Sequence, residues 1–227
     1  MTPGSLSRGP LFAWRAFAAL ALVLVACLAV ARPALAETAP ETYVRVNVQH
    51  GLSILGNRSI SDSDRRLQFR NFLTNLTDIR RIALFTLGAA RRTSPPDEVE
   101  RFVEAFREYA IAVYESRLTA YAGQSLRVTG GNERAPGDFI VTTVLVDPTG
   151  RTEQQGEPIE VDFRLAQENG HFIVIDASIA GVWLALEERD QFTAYLQENN
   201  GNLGGLIAHL NQLTQRLRGG GAKTPTR

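Results

Sequence analysis

Cysteine and histidine are scarce here: one cysteine and three histidines in 227 residues. Cys27 lies in an N-terminal stretch that reads as a removable leader, so the exported chain would hold no disulfide, no cysteine nucleophile and no thiolate metal site. His50, His171 and His209 stand on unrelated segments, with no carboxylate or second histidine at ligand spacing, which leaves a metal centre without donors. GxSxG, HExxH and a phosphate-cradling glycine loop are all missing. No cofactor is expected on these grounds. An excess of one charge is lacking as well: 24 basic residues face 24 acidic ones, which is no footprint for nucleic acid.

What is present begins with the leader, residues 1–36. Arg8 and Arg15 precede the apolar run Ala16 to Ala31, which is followed by Arg32, Pro33 and the small-residue box Ala34-Leu35-Ala36. That is the layout of a secretory signal cleaved before Glu37. A membrane anchor is the alternative, but the run is short for a span. A second alternative is lipidation of Cys27 in the box Leu24-Val25-Ala26-Cys27, which would leave an apolar N-terminus. The leader holds three basic residues and no acid, so its removal leaves 21 basic against 24 acidic groups, a net charge of −3.

Residues 37–218 have the apolar content of one domain, and 219–227 form a polar Gly/Thr/Pro tail expected to be disordered. Glu41 to Gly56 is expected as a helix with Val44, Val48, Leu52 and Leu55 on one face, although Val44, Val46 and Val48 also alternate like a strand. A second helix starts at Ser61 or Asp62 and carries Leu67, Phe69, Phe72, Leu73 and Leu76 inward; a third spans Asp78 to Leu87 and stops at Gly88. The longest pattern runs from Ser94 to Gln124. It has Ser94 as N-cap, Pro95 in the first turn, and an apolar stripe through Val99, Phe102, Val103, Phe106, Ala110, Val113, Tyr114 and Tyr121.

After Gln124 the period changes from 3.6 to 2. Leu126 to Thr129 is a strand, Gly130 to Gly137 a loop, and Phe139 to Val146 a second strand ended by the turn Asp147-Pro148-Thr149-Gly150. Ile159 to Leu165 alternates as a third strand, Asn169-Gly170 is a hairpin turn, and Phe172 to Ile175 is a fourth. Ile179 to Leu186 is a link, followed by helices from Glu187 to Gln197 and from about Asn202 to Leu217. The fold class is therefore α+β: a four-stranded antiparallel meander packed by several helices.

Two readings of the apolar residues stand side by side. They fill an ordinary core, or the aromatics of the long helix and of the sheet wall a cavity. Asp176, at the end of the apolar run Phe172 to Ile175, is either a buried hydrogen-bonding group holding the following link or, by analogy with small isomerases, a base in an apolar pocket. No hydroxyl or second acid is placed by sequence to serve it, so an enzyme is not expected. Asp162 is expected in solvent.

The ordered set Ala105-Phe106-Arg107-Glu108-Tyr109, Tyr114, Leu118, Tyr121, Gly123-Gln124, Val146 to Gly150, Val161-Asp162-Phe163, Asp176, Gly181-Val182, Phe192 and Gly205-Leu206-Ile207 resembles the MlaC-type periplasmic phospholipid carriers, also called the toluene-tolerance family. The resemblance covers roughly Ile82 to Leu213. The chain departs from it at Ala180 and Trp183, which flank the Gly-Val pair where members commonly have an acid and a small polar residue. The resemblance implies a soluble periplasmic carrier with an apolar cavity between sheet and helices for phospholipid acyl chains. Its partners would be an inner-membrane ABC transporter with an MCE-domain subunit and an outer-membrane lipoprotein complex, and its role the upkeep of outer-membrane lipid asymmetry. The wall residues expected on this reading are Phe102, Phe106, Val113 and Leu118 from the long helix, with Val141, Leu145, Val161, Phe163 and Val174 from the sheet. A hopanoid-type lipid is the alternative cargo within the same fold, and a cavity enzyme using Asp176 the alternative activity.

Overall fold

In the computed structural model, residues 37–117, 123–148 and 158–219 are described. The expected leader, Leu118 and Tyr121, the Thr149-Gly150 half of the expected turn, and the expected tail beyond Gly219 lie outside the described residues.

Helix α1, Ala39–Gly56, begins where the Glu41 carboxylate accepts a 2.7 Å hydrogen bond from the Thr38 backbone N–H, half of a capping box. Val44 is buried and Val46 is half exposed, which separates helix from strand: in a strand the two would share a face. Helix α2, Asp62–Leu76, is capped by the Ser61 hydroxyl, and α3, Ile79–Thr86, by the Asp78 carboxylate, which accepts from the Arg81 N–H at 2.9 Å. Leu67, expected inside, is 57% exposed, while Phe69 and Leu73 face inward.

The long helix starts later than expected. A one-turn helix α4, Ala90–Thr93, precedes it, and Ser94 donates its N–H to Ala90, closing that turn instead of opening the next. Helix α5 is Pro96–Arg117. The reason is the second proline: a residue before proline is pushed out of the α region, so Pro95 stays outside and Pro96 becomes the first helical residue, its missing N–H costing nothing there.

The sheet is an antiparallel meander in sequence order: β1 Ser125–Ala135, β2 Asp138–Val146, β3 Glu160–Glu168, β4 His171–Ile179 and β5 Val182–Trp183. The α+β class holds, with five strands among the described residues in place of the expected four. The missed strand follows the turn Ala180-Gly181, both at positive φ (50° and 81°). Alanine is a poor left-handed residue, so the sequence carried half of the hairpin signal that Asn169-Gly170 displays in full. The expected loop at Gly130 to Gly137 is also corrected, because β1 continues to Ala135 with register shifts at Val128/Gly130 and Glu133/Ala135. Its glycine has a packing reason. A Cβ on Gly131 would lie 3.1 Å from the Ile140 carbonyl oxygen and 3.3 Å from the Glu41 Cγ, so the residue lets α1 cross the sheet closely.

Helix α6, Leu184–Glu198, and helix α7, Leu203–Gly219, complete the chain, each slightly longer than its apolar pattern suggested. Among the described residues no helix is long and apolar enough to cross a membrane.

Candidate functional site

The buried apolar residues fall into three clusters. A helical core joins α3, α5, α6 and α7. Its centre is Phe102, Phe106 and Phe192, with ring centroids 5.8 to 6.2 Å apart, edge-to-face where Phe192 meets the other two. A sheet core joins Val44 of α1 to Val141, Leu165 and Val174, with Phe139, Phe163 and Phe172 packed around them. A third cluster ties Ile54 of α1 to Phe69 and Leu73 of α2.

The expected wall residues divide between these regions. Phe102 and Phe106 belong to the helical core. Val141, Phe163 and Val174 belong to the sheet core. Val113, Leu145 and Val161 are half-buried and lie outside all three clusters, and Leu118 is outside the described residues. Strand register adds a fact that one-dimensional reading could not. Val141 pairs with Phe163, Thr143 with Val161, and Leu165 with Val174, so Val141, Leu145, Val161, Phe163 and Val174 all project from one face. On that face Val141, Thr143 and Leu165 have no exposed surface, but the end formed by Leu126, Leu145, Val161 and Ile179 is half-buried to exposed, Ile179 at 48%.

The opposite face is polar and tightly bonded. Asp162, expected in solvent, accepts from the Thr142 hydroxyl at 2.7 Å and the Ser178 hydroxyl at 2.8 Å. Beside it Arg164 forms two 2.9 Å bonds to Asp138, and this guanidinium holds the Asp138 carboxyl below the usual range.

Asp176 takes the first of the two roles open to it. One of its carboxylate oxygens accepts from the backbone N–H of Ala177 at 2.8 Å and of Ala185 at 3.0 Å. Ala185 lies in the first turn of α6, whose N-cap residue Trp183 makes no capping bond, so Asp176 serves that helix as a cap supplied from the sheet. Burial raises its pKa, opposed by the two N–H groups and by Arg164.

Above it, on the next turn of α6, stands Glu188. The Tyr109 hydroxyl donates to its Oε1 at 3.2 Å, while Oε2 is enclosed and has no hydrogen-bond partner. Burial raises the Glu188 carboxyl above its ordinary value and pushes the Tyr109 hydroxyl up to about 12. Tyr114 completes the group. Its side chain keeps 41% of its surface accessible, yet surrounding protein, and then the charges of Asp176 and Glu188, raise its hydroxyl. At the seam of α5, α6 and β4, Tyr109, Tyr114, Asp176 and Glu188 thus form a polar group. A shallow depression lies at Gln212, Gln215 and Arg216, on exposed residues of α7.

Glu188 was not singled out in the sequence, though a signal existed. Ala185, Phe192 and Leu196 mark the buried stripe of α6, and residue 188 falls on it by helical spacing, so an acid stands where an apolar residue is expected. The histidines are dispersed: His50 packs its edge on Phe72, His209 stacks on Tyr195, and His171 is exposed.

A family model described as MlaC protein matches residues 46–212. Among solved structures, the chain resembles a phospholipid-binding protein from Ralstonia solanacearum, determined in complex with a phospholipid, with a TM-score of 0.62 and 19% identity. The match covers 77% of this chain and 98% of that one.

Proposed function

The chain belongs to the MlaC family, and from that premise we propose that it is a phospholipid carrier that receives acyl chains against the half-covered end of the apolar sheet face. The observation that carries the proposal is the division of the apolar side chains into a helical core and a sheet core, with accessible Tyr114 and half-buried Val113, Leu145 and Val161 outside both. The likeness in fold to a protein solved with phospholipid supports the same reading.

The energetics suit a carrier. Hiding one acyl chain of about fifteen methylenes at about 0.8 kcal/mol each is worth on the order of 10 kcal/mol, so apolar walls suffice to hold it. Release then needs the walls to part. The ion pairs that bridge α2, α5 and α7 are a natural place for this, because Arg70 and Arg218 both reach Glu108, at 2.9 and 2.6 Å, from helices whose side chains otherwise pack in different clusters.

On this proposal residues 1–36 are a cleaved export signal, the protein works in the periplasm, and it exchanges lipid with an inner-membrane ABC transporter bearing an MCE-domain subunit and with an outer-membrane lipoprotein complex. The test is native mass spectrometry of the exported protein, with organic extraction of a parallel sample. Phospholipid in near-stoichiometric amount is the expected result. A ligand-free protein that takes up no lipid from vesicles overturns the proposal, and a polycyclic lipid in the extract would replace phospholipid as the cargo.

A further inference from the structure

The first two arginines of α3 are neutralised: Arg80 pairs with Glu100 and Arg81 with Glu168. A different arrangement follows directly in the chain. Residues 79–96 hold four arginines and no acid. The last two, Arg91 and Arg92 of α4, are exposed and make no hydrogen bond or ion pair among the described residues. A third, Arg189 of α6, joins them. Its guanidinium lies 5.3 Å over the Phe85 ring, and its Nε is 3.4 Å from the place that a Cβ on Gly88 would take. It too has no acidic partner among the described residues. Two tight turns keep the segment together: Gly88 donates its N–H to Phe85 at 3.1 Å, and Arg92 to Ala89 at 3.0 Å. On α6, Leu186 stands one turn before Arg189, whereas the exposed Glu187 and Asp190 fall about 100° or more around the helix from it. Phe85 and Leu186 are 39% and 46% exposed. Three unpaired guanidiniums thus gather with two uncovered apolar side chains where α3 runs into α4 beside α6.

We propose that this face, Phe85 and Leu186 with Arg91, Arg92 and Arg189, is a docking surface for an anionic phospholipid bilayer. Charge complementarity selects the occupant. Guanidiniums held close together repel one another, and a layer of lipid phosphates supplies the anions that the chain does not. The apolar side chains favour a bilayer over an acidic protein: Phe85 and Leu186 enter the headgroup boundary while the arginines beside them stay at the level of the phosphates, as on an interfacial amphipathic surface. Attraction here, on a chain that is acidic overall once its leader is removed, also orients the protein on the membrane. The inference goes beyond the carrier reading, because it concerns the outer surface of α3, α4 and α6 and not the place where acyl chains are held.

The experiment measures co-sedimentation of the exported protein with vesicles of dioleoyl phosphatidylcholine and with vesicles of an equal mixture of that lipid and dioleoyl phosphatidylglycerol. Binding to the anionic vesicles that fades as salt is raised, with little binding to the neutral ones, is the expected result. Each basic side chain at an anionic surface is worth about fivefold in binding, so the double variant Arg91→Gln, Arg92→Gln should bind about twenty- to thirtyfold more weakly. A second double variant, Arg66→Gln with Arg216→Gln, removes the same charge from exposed sites on α2 and α7 and should stay within about twofold of wild type. Phe85→Ser keeps every charge and should weaken binding several-fold. No binding of the wild type to anionic vesicles overturns the inference and leaves the face to an acidic protein. Equal binding to both kinds of vesicle, or equal losses in the two double variants, also overturns it, since the attraction would then be apolar or due to overall charge. Native mass spectrometry of the same samples keeps the carrier reading separate: lipid uptake without surface binding removes this inference alone, and surface binding without uptake removes only the carrier reading.

Discussion

Removing the Asp176 carboxyl tests whether the residue is a structural cap or a reacting group, the two roles that its position in the sequence left open. In Asp176→Ala, the Ala185 N–H in the first turn of α6 and the Ala177 N–H lose their acceptor, and no capping bond from Trp183 stands ready to replace it. Loss of a cap costs about 1 kcal/mol, and leaving a part-buried N–H unmade adds about 1–2 kcal/mol, so the domain should lose about 2–3 kcal/mol. For a domain of this size that is a fall in Tm of about 5–10 °C. Asp176→Asn keeps an acceptor oxygen in place and removes a charge that burial penalises, so it should stay within about 1 kcal/mol of wild type. Thermal and urea melts followed by circular dichroism measure both. Equal damage from Asn and Ala would refute the capping argument, because the charge and not the acceptor would then matter. A melt of Asp176→Ala indistinguishable from wild type would refute it too. Bound lipid should survive in the Asn variant, whereas a catalytic role for Asp176 would require that variant to lose an activity while keeping its fold.

Phe192→Ala should cost about 3–5 kcal/mol, since the ring fills the space between Phe102 and Phe106 in a helical core with little room to relax; a loss below about 1 kcal/mol in urea unfolding would mean that the core collapses around the gap. Val161→Asp places a charge on the half-buried end of the apolar sheet face and should lower lipid uptake from vesicles several-fold while moving the melt little, and undiminished uptake would move the acyl site elsewhere. Glu108→Gln weakens the bonds to Arg70 and Arg218 at once, so lipid exchange between vesicles should quicken and lose part of its dependence on salt; an unchanged exchange rate would show that these helices do not part during release. The pH dependence has two opposed parts. Glu188 is raised in the folded state above 4.5, so its contribution to stability is present in acid and is lost as pH rises through the folded value, and Glu188→Gln should flatten that decline in urea melts taken upward from about pH 4.5. Glu108 and Asp138 are lowered by their arginines, so their contributions are present above the ordinary carboxylate range and are lost as pH falls through the lowered values.

The helices and most strands were legible from periodicity because each buries one face, and burial imposes its period on the order of apolar residues. Val44, Phe69, Phe102 and Phe192 all lie where spacing put them. Punctuation was readable where a residue has one physical use, as at Asn169-Gly170, whose backbone is left-handed at both positions, or at Ser61, which of the two candidates Ser61 and Asp62 is the cap of α2. It misled where one residue type has several uses. Two adjacent prolines shifted the start of α5, and Gly131, which lets α1 approach β1, helped the segment to resemble a loop. What the order of residues could not contain is which apolar side chains meet. Phe102 and Val141 look equally inward along the chain, yet one fills a helical core and the other a sheet core, because that choice depends on layers brought together from distant segments. The same holds for polar groups. Asp176 became a cap for a helix nine residues away, and Glu188 was left with one satisfied oxygen and one bare one, since a hydrogen bond is decided by distance and direction in three dimensions. The order of residues by itself thus determined an α+β chain, because each buried face imposes its period, and only the packing of helices against the meander decided which apolar side chains meet and which polar atoms find a partner.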